Sequence, residues 1–246
     1  MGATGSSEVK KAQKHNANFL DLRGKNVSSI PKSISECTHL ERINASDNSI
    51  SKIPPQIGAL TNLVRLNLFN NKITELPSEI NNCTKLEELN VSVNKIKELP
   101  RGYGCLNKIV FLDLSSNNIK EIGPQIGMLV TLKEFYCSFN EIKTLPPEIG
   151  KCEHLEKLAI SNNLLKKLPH EVAKLELLNT LNVSANKIRY LPPDLGHMPA
   201  LSNLDISSNP VCKEIDHFAR KGKKELIKYL ATDEYEEFYY DVCIFF

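Results

Sequence analysis

Residues Leu63 to Ile80 read L-V-R-L-N-L-F-N-N-K-I-T-E-L-P-S-E-I, and the pattern L-x-x-L-x-L-x-x-N-x-I-x-x-L-P-x-x-I returns along the chain without insertion. Its first apolar position falls at Leu40, Leu63, Leu86, Ile109, Leu132, Leu155, Leu178 and Leu201, each 23 residues after the one before. A weaker leading copy starts at Ala17 and keeps Leu20, Leu22, Val27, Ile30, Pro31 and Ile34 in place. A strict period of this length builds a solenoid, because one repeat cannot bury its own apolar residues and stacked neighbours can.

The spacing assigns each part of the repeat a task. The L-x-L pair alternates with period two, so it forms a short strand with one face buried. An Asn follows where the chain leaves that strand, at Asn48, Asn71, Asn94, Asn117, Asn140, Asn163, Asn186 and Asn209. Its amide both donates and accepts, and can satisfy loop backbone groups that would otherwise be buried unpaired. The L-P-x-x-I half turns the chain back, with Pro suited to the first position of a helical turn. The expected fold is an α/β solenoid in the form of a horseshoe. Nine short parallel strands, ~38 Å across at ~4.8 Å spacing, line its concave face. Helical or 3-10 turns line its convex face.

Three segments follow from the period: a leader over 1–16, nine repeats over 17–209, and a C-terminal cap and tail over 210–246. The leader begins Met1-Gly2-x-x-x-Ser6, the pattern for N-myristoylation at Gly2, with Lys10, Lys11 and Lys14 able to add attraction to anionic lipid. In the last segment Lys223 to Ala231 reads as a helix with Leu226, Ile227 and Leu230 on one side, placed to cover the open end of the solenoid. An acidic, aromatic tail follows, from Asp233 to Asp241. The chain closes on Cys243-Ile-Phe-Phe246, a C-a-a-X pattern whose terminal Phe favours geranylgeranylation of Cys243. Two lipid chains would anchor the protein stably where one would not.

The outward positions of the strands are where function would lie. One column runs Asp21, Asn44, Asn67, Asn90, Asp113, Tyr136, Ala159, Asn182, Asp205, and Tyr136 breaks it. Neighbouring columns hold Phe69, Val93, Phe111 and Phe139. These five residues fall across four consecutive repeats, rimmed by Arg42, Arg65, Glu88, Glu134 and Lys157. An exposed apolar patch with a charged rim is expected to bind a protein partner. Two successive repeats depart from the pattern. Gly123 stands where Pro is expected, and Tyr103 replaces the usual Ile in Leu99-Pro-Arg-Gly-Tyr-Gly104, which predicts a reshaped convex edge. Lys108-Ile109-Val110-Phe111 resembles a phosphatase-docking peptide, but Ile109 is a repeat core position and the segment should be structured.

Other classes are disfavoured. The net charge is +2 and no segment of the chain is strongly basic, which argues against nucleic acid as a partner. No apolar run approaches the length of a membrane span, and the first 16 residues lack the apolar centre of a secretory signal. Of seven cysteines, Cys37, Cys83, Cys137 and Cys152 occupy core positions and Cys105 lies beside one, which favours a reducing, cytoplasmic compartment. Five N-x-S/T sequons occur, at Asn26, Asn44, Asn82, Asn90 and Asn182, and three of them sit mid-strand. The six histidines show no metal-ligand spacing, no phosphate-binding or nucleophile motif is present, and no cofactor is expected.

The repeats, seen best in Phe69-Asn-Asn-Lys-Ile73, Glu75-Leu-Pro77, Leu99 to Gly104 and Leu112-Asp-Leu114, resemble those of the intracellular, 23-residue class of leucine-rich-repeat proteins. That class includes the Ras suppressor protein and related scaffolds of Ras-pathway signalling. The resemblance implies a non-catalytic adaptor; a monomer in the cytoplasm or at the inner face of the plasma membrane is expected. On its concave face it would hold a signalling protein such as a small GTPase or its regulator. Two alternatives stand beside it: a regulatory subunit that targets an enzyme such as a phosphatase to a membrane, and an extracellular recognition module.

Overall fold

A computed structural model describes residues 3–243. Gly2 lies outside the described residues, as does the side chain of Cys243, whose backbone closes the last helix. Nine strands form one parallel sheet in chain order: β1 (Phe19–Asp21), β2 (Arg42–Asn44), β3 (Arg65–Asn67), β4 (Glu88–Asn90), β5 (Phe111–Asp113), β6 (Glu134–Tyr136), β7 (Lys157–Ala159), β8 (Thr180–Asn182) and β9 (Asn203–Asp205). Register steps by one repeat throughout, as in Leu66 against Leu89 and Leu89 against Leu112. Each three-residue strand buries its middle side chain and turns its two flanking ones outward. A 3-10 turn follows each of the first eight strands, and in Pro55–Ala59, Pro124–Met128, Pro147–Lys151 and Pro193–His197 a Pro opens it. The thiols of Cys83 and Cys152 donate to the carbonyls of Ile57 and Ile126, one repeat back.

The Asn ladder does what its position demanded. In the middle repeats the Asn117 Oδ1 accepts the Ile96 N–H at 2.9 Å, and its Nδ2 donates to the carbonyls of Val91 and Leu114 at 3.0 Å. Asn94 and Asn140 make the same set one repeat away. Every such carbonyl is therefore shared between two successive ladder residues.

Three parts of the chain differ from the reading of the sequence. The leader is a helix, α1 (Ala3–Lys14), and buries Val9 and Ala12 against the first repeat. Its Glu8 pairs with Lys11 at 2.9 Å and Lys25 at 3.0 Å. The C-terminal segment holds three helices rather than one: α2 (Lys213–Lys221), α3 (Lys223–Leu230) and α4 (Asp233–Cys243). The acidic tail is thus folded. The Tyr235 ring is buried, and its hydroxyl donates to the Leu191 carbonyl at 2.7 Å and accepts the Leu191 N–H at 3.2 Å. Phe218 stacks on Tyr229 with centroids 3.9 Å apart, closing the cap.

The departing repeats have a physical account. Tyr103 is buried and reaches across to the next repeat, where its hydroxyl donates to the Gly123 carbonyl at 2.8 Å. Gly102 precedes it at φ +84°, a left-handed conformation that favours glycine. Tyr103 therefore bridges two repeats along the convex edge. The phosphatase-docking reading fails on the same ground: Ile109 is buried, and Phe111 opens β5, so the segment is no free peptide.

Candidate functional site

The outward strand positions divide by what the turn after the strand requires. In seven repeats the Asn or Asp of the second outward column accepts the N–H two residues on, as Asn90 does from Ser92 at 3.0 Å and Asp113 from Ser115 at 2.9 Å. This is a local turn bond, typical of Asn and Asp. The column is thus structural, a role its outward position concealed. It also engages the Oδ1 atoms of the sequon residues Asn44, Asn90 and Asn182.

Tyr136 and Ala159 give up that bond. Around them Ser138 substitutes, accepting the Ser161 N–H at 3.1 Å. Tyr136 instead lies beside Phe111 on the neighbouring strand, with ring centroids 5.7 Å apart. Its hydroxyl donates to Glu134 Oε2 at 2.7 Å, and Lys157 pairs with Glu134 Oε1 at 3.0 Å. The Tyr136 hydroxyl and then the Lys157 ammonium hold the Glu134 carboxyl below the usual carboxylate range. Burial pushes the Tyr136 hydroxyl up, and the carboxylate beside it adds to the effect, so Tyr136 stays a donor. The two rings and the ion pair make one half-buried platform on β5, β6 and β7.

The remaining predicted residues lie around it. Arg65 pairs with Glu88 at 3.2 Å, and Arg42 stands over the Phe19 ring, 5.3 Å from its centroid. Phe69, Val93 and Phe139 are not on the strands. They sit in the turn beyond them, at 36%, 39% and 58% exposure. The residue just before each ladder Asn is left-handed in every one of these repeats, from Asp47 and Asn70 to Ser208. Val93 and Phe139 hold that conformation at φ +56°. For a β-branched or bulky residue this is an outlier, and it costs roughly 1–2 kcal/mol. Strain at exposed positions points to a use for the side chain. A Val93→Asn protein, carrying the residue used at Asn70 and Asn162, is expected to melt about 2–4 °C higher. Calorimetry would show it, and an unchanged or lowered melting point would refute the strain.

Three family models match the chain: a leucine-rich-repeat region over residues 13–95, two copies of the repeat over 130–172, and a leucine-rich repeat over 153–211. The chain is a leucine-rich-repeat protein. No curated protein matches it by sequence. Among solved structures it is similar to a leucine-rich-repeat protein of Leptospira interrogans, at 32% identity and TM-score 0.82 over 86% of this chain and 54% of that one. It is also similar to the functional domain of InlJ from Listeria monocytogenes, at 28% identity and TM-score 0.72, over 82% of this chain and 45% of that one. A third is the ectodomain of the plant membrane receptor kinase GASSHO1/SCHENGEN3 from Arabidopsis thaliana, in complex with CASPARIAN STRIP INTEGRITY FACTOR 2. There the identity is 30% and the TM-score 0.69, over 74% of this chain and 23% of that one. The leucine-rich-repeat chain described here thus spans about half or less of the length of each. Leucine-rich-repeat proteins are typically binding modules that hold protein ligands.

Proposed function

We propose that this leucine-rich-repeat protein is a non-catalytic scaffold of intracellular signalling that holds a protein partner on its concave face. Phe111 and Tyr136 are the anchors, with Val93 and Phe139 at the rim. One observation carries the reading: within three consecutive repeats Tyr136, Val93 and Phe139 each abandon the residue type that the fold prefers at their column, and all three present apolar surface. Stability has been given up there for exposed side chains, as at sites kept for binding. The receptor ectodomain in complex with CASPARIAN STRIP INTEGRITY FACTOR 2 among the similar structures supports a protein as ligand. The resemblance of the repeats to Ras-pathway scaffolds supports a small GTPase, or a regulator of one, as the partner class.

Affinity capture from native lysate, read by mass spectrometry, tests the site. Phe111→Asp/Tyr136→Asp, shown to be folded by circular dichroism, is expected to lose a partner that the wild type retains. The loss should exceed about thirtyfold in affinity, as when an interface loses a hot spot of ~2 kcal/mol. Equal capture by both proteins overturns the patch. A panel of purified small GTPases in both nucleotide states tests the partner class separately. If none binds while the patch-dependent partner persists, the GTPase reading is wrong and the site stands.

A further inference from the structure

The chain between each ladder Asn and the next Leu runs along one flank of the solenoid. Its alternate residues, such as Ile96, Ile119, Ile142, Leu165 and Ile188, are buried, so the residues beside them face out. The position directly after this buried residue is cationic and exposed in five consecutive repeats: Lys97, Lys120, Lys143, Lys166 and Arg189. Because register steps by one repeat without interruption, these five stand in a single row. At ~4.8 Å per strand the row is ~19 Å long. None of the five forms an ion pair among the described residues. Adjacent columns on the flank mix Lys, Glu, Asn and Thr freely, as solvated positions do, whereas this column does not vary in sign.

From Asn48 to Leu191 the flank carries ten Lys or Arg and four Glu, a net of +6, while the chain as a whole carries +2. Everything else therefore sums to −4, so the flank carries the chain's net excess of positive charge. A linear scan does not find it, because the fold gathers one or two cations from each repeat.

We propose that this flank docks on an anionic lipid bilayer. Three features favour a bilayer over other polyanions. Nine of the ten cations are Lys, flexible point charges suited to a diffuse negative surface, rather than Arg forks suited to single phosphates or carboxylates. The row has no open aromatic on which a base could stack. Tyr190 is occupied by Arg189, 5.5 Å above its ring, and by Phe238 of α4, 6.1 Å away. Nor does the row have an apolar cleft for an acidic peptide, since the residues beneath it are buried. Clusters of four to eight cations on one face are the pattern that anionic lipid attracts. The docking surface is separate from the concave patch, and its test uses no protein partner.

The test is co-sedimentation of the full chain, made without lipid modification, with phosphatidylcholine vesicles that contain or lack phosphatidylserine. The wild type is expected to bind the phosphatidylserine vesicles at low salt and to release them at high salt. A Lys97→Gln/Lys120→Gln/Lys143→Gln/Lys166→Gln protein should bind a few hundredfold more weakly, each lysine supplying roughly a fivefold factor. Among the described residues these side chains form no ion pair or side-chain hydrogen bond, so its melting point should match the wild type. A control with the same change of net charge, Lys108→Gln/Lys151→Gln/Lys174→Gln/Lys213→Gln, should lose only a few fold. The proposal is overturned if the wild type ignores phosphatidylserine, if the ladder variant binds as the wild type does, or if the control is weakened equally. Binding of a single-stranded oligonucleotide in preference to the vesicles overturns it as well.

Discussion

An Asn117→Ala protein is expected to unfold with about 2–4 kcal/mol less free energy than the wild type, read as a lower denaturant midpoint. The Ile96 N–H is the group that suffers. It is buried and donates to Asn117 Oδ1 at 2.9 Å, with no second acceptor among the described residues. Leaving it unpaired costs ~1–3 kcal/mol, and the weakened carbonyl contacts add about 1 more. The carbonyls of Val91 and Leu114 fare better, because Asn94 and Asn140 still donate to them at 3.0 Å. The same change at Asn209, which is only half-buried at the end of the ladder, should cost less. Equal losses at the two positions would show that burial does not set the cost.

Gly196→Ala is expected to open the C-terminal cap, with a loss of about 3 kcal/mol or more in stability. A Cβ on Gly196 would lie 2.3 Å from the Ala231 nitrogen and 2.6 Å from the Leu230 carbonyl carbon. Both are backbone atoms at the end of α3, so no side chain can rotate aside, and the helix must lift. With it go Leu226, Tyr229 and Leu230, all buried. Limited proteolysis should then cut near Lys221 and Lys223 while the repeats stay resistant. A wild-type cleavage pattern together with a wild-type melting point would disprove the account.

The repeats were legible because each of their columns answers a demand that recurs every 23 residues. A buried leucine, an amide at the strand's exit and a proline at the turn all carry their reason in the residue type. The ends were not. In α1 a polar composition hides one helical stripe, Val9 and Ala12, whose partner surface exists only once the first repeat has formed. In α4 the acids dominate the reading, yet Tyr235, Phe238 and Tyr239 share the helical face, and Tyr235 bonds to Leu191, 44 residues earlier. Long-range contacts of this kind leave no local mark. The site was half legible. Aromatic residues on outward columns located Phe111 and Tyr136, but one-letter code does not show a backbone angle. Gly24, Asp47, Asn70 and Asn162 in one column were the available sign that Val93 and Phe139 stand in a left-handed turn.

Both ends of the sheet are occupied, β1 by α1 and β9 by α3. A strand edge left open invites another chain to continue the hydrogen bonding, and in a head-to-tail geometry that grows fibres. Here a helix packs beside each terminal strand. The sheet behaves as a measuring rod with stops at both ends. Adding or removing one whole repeat would change its span by ~4.8 Å and leave each stop seated on the same neighbour.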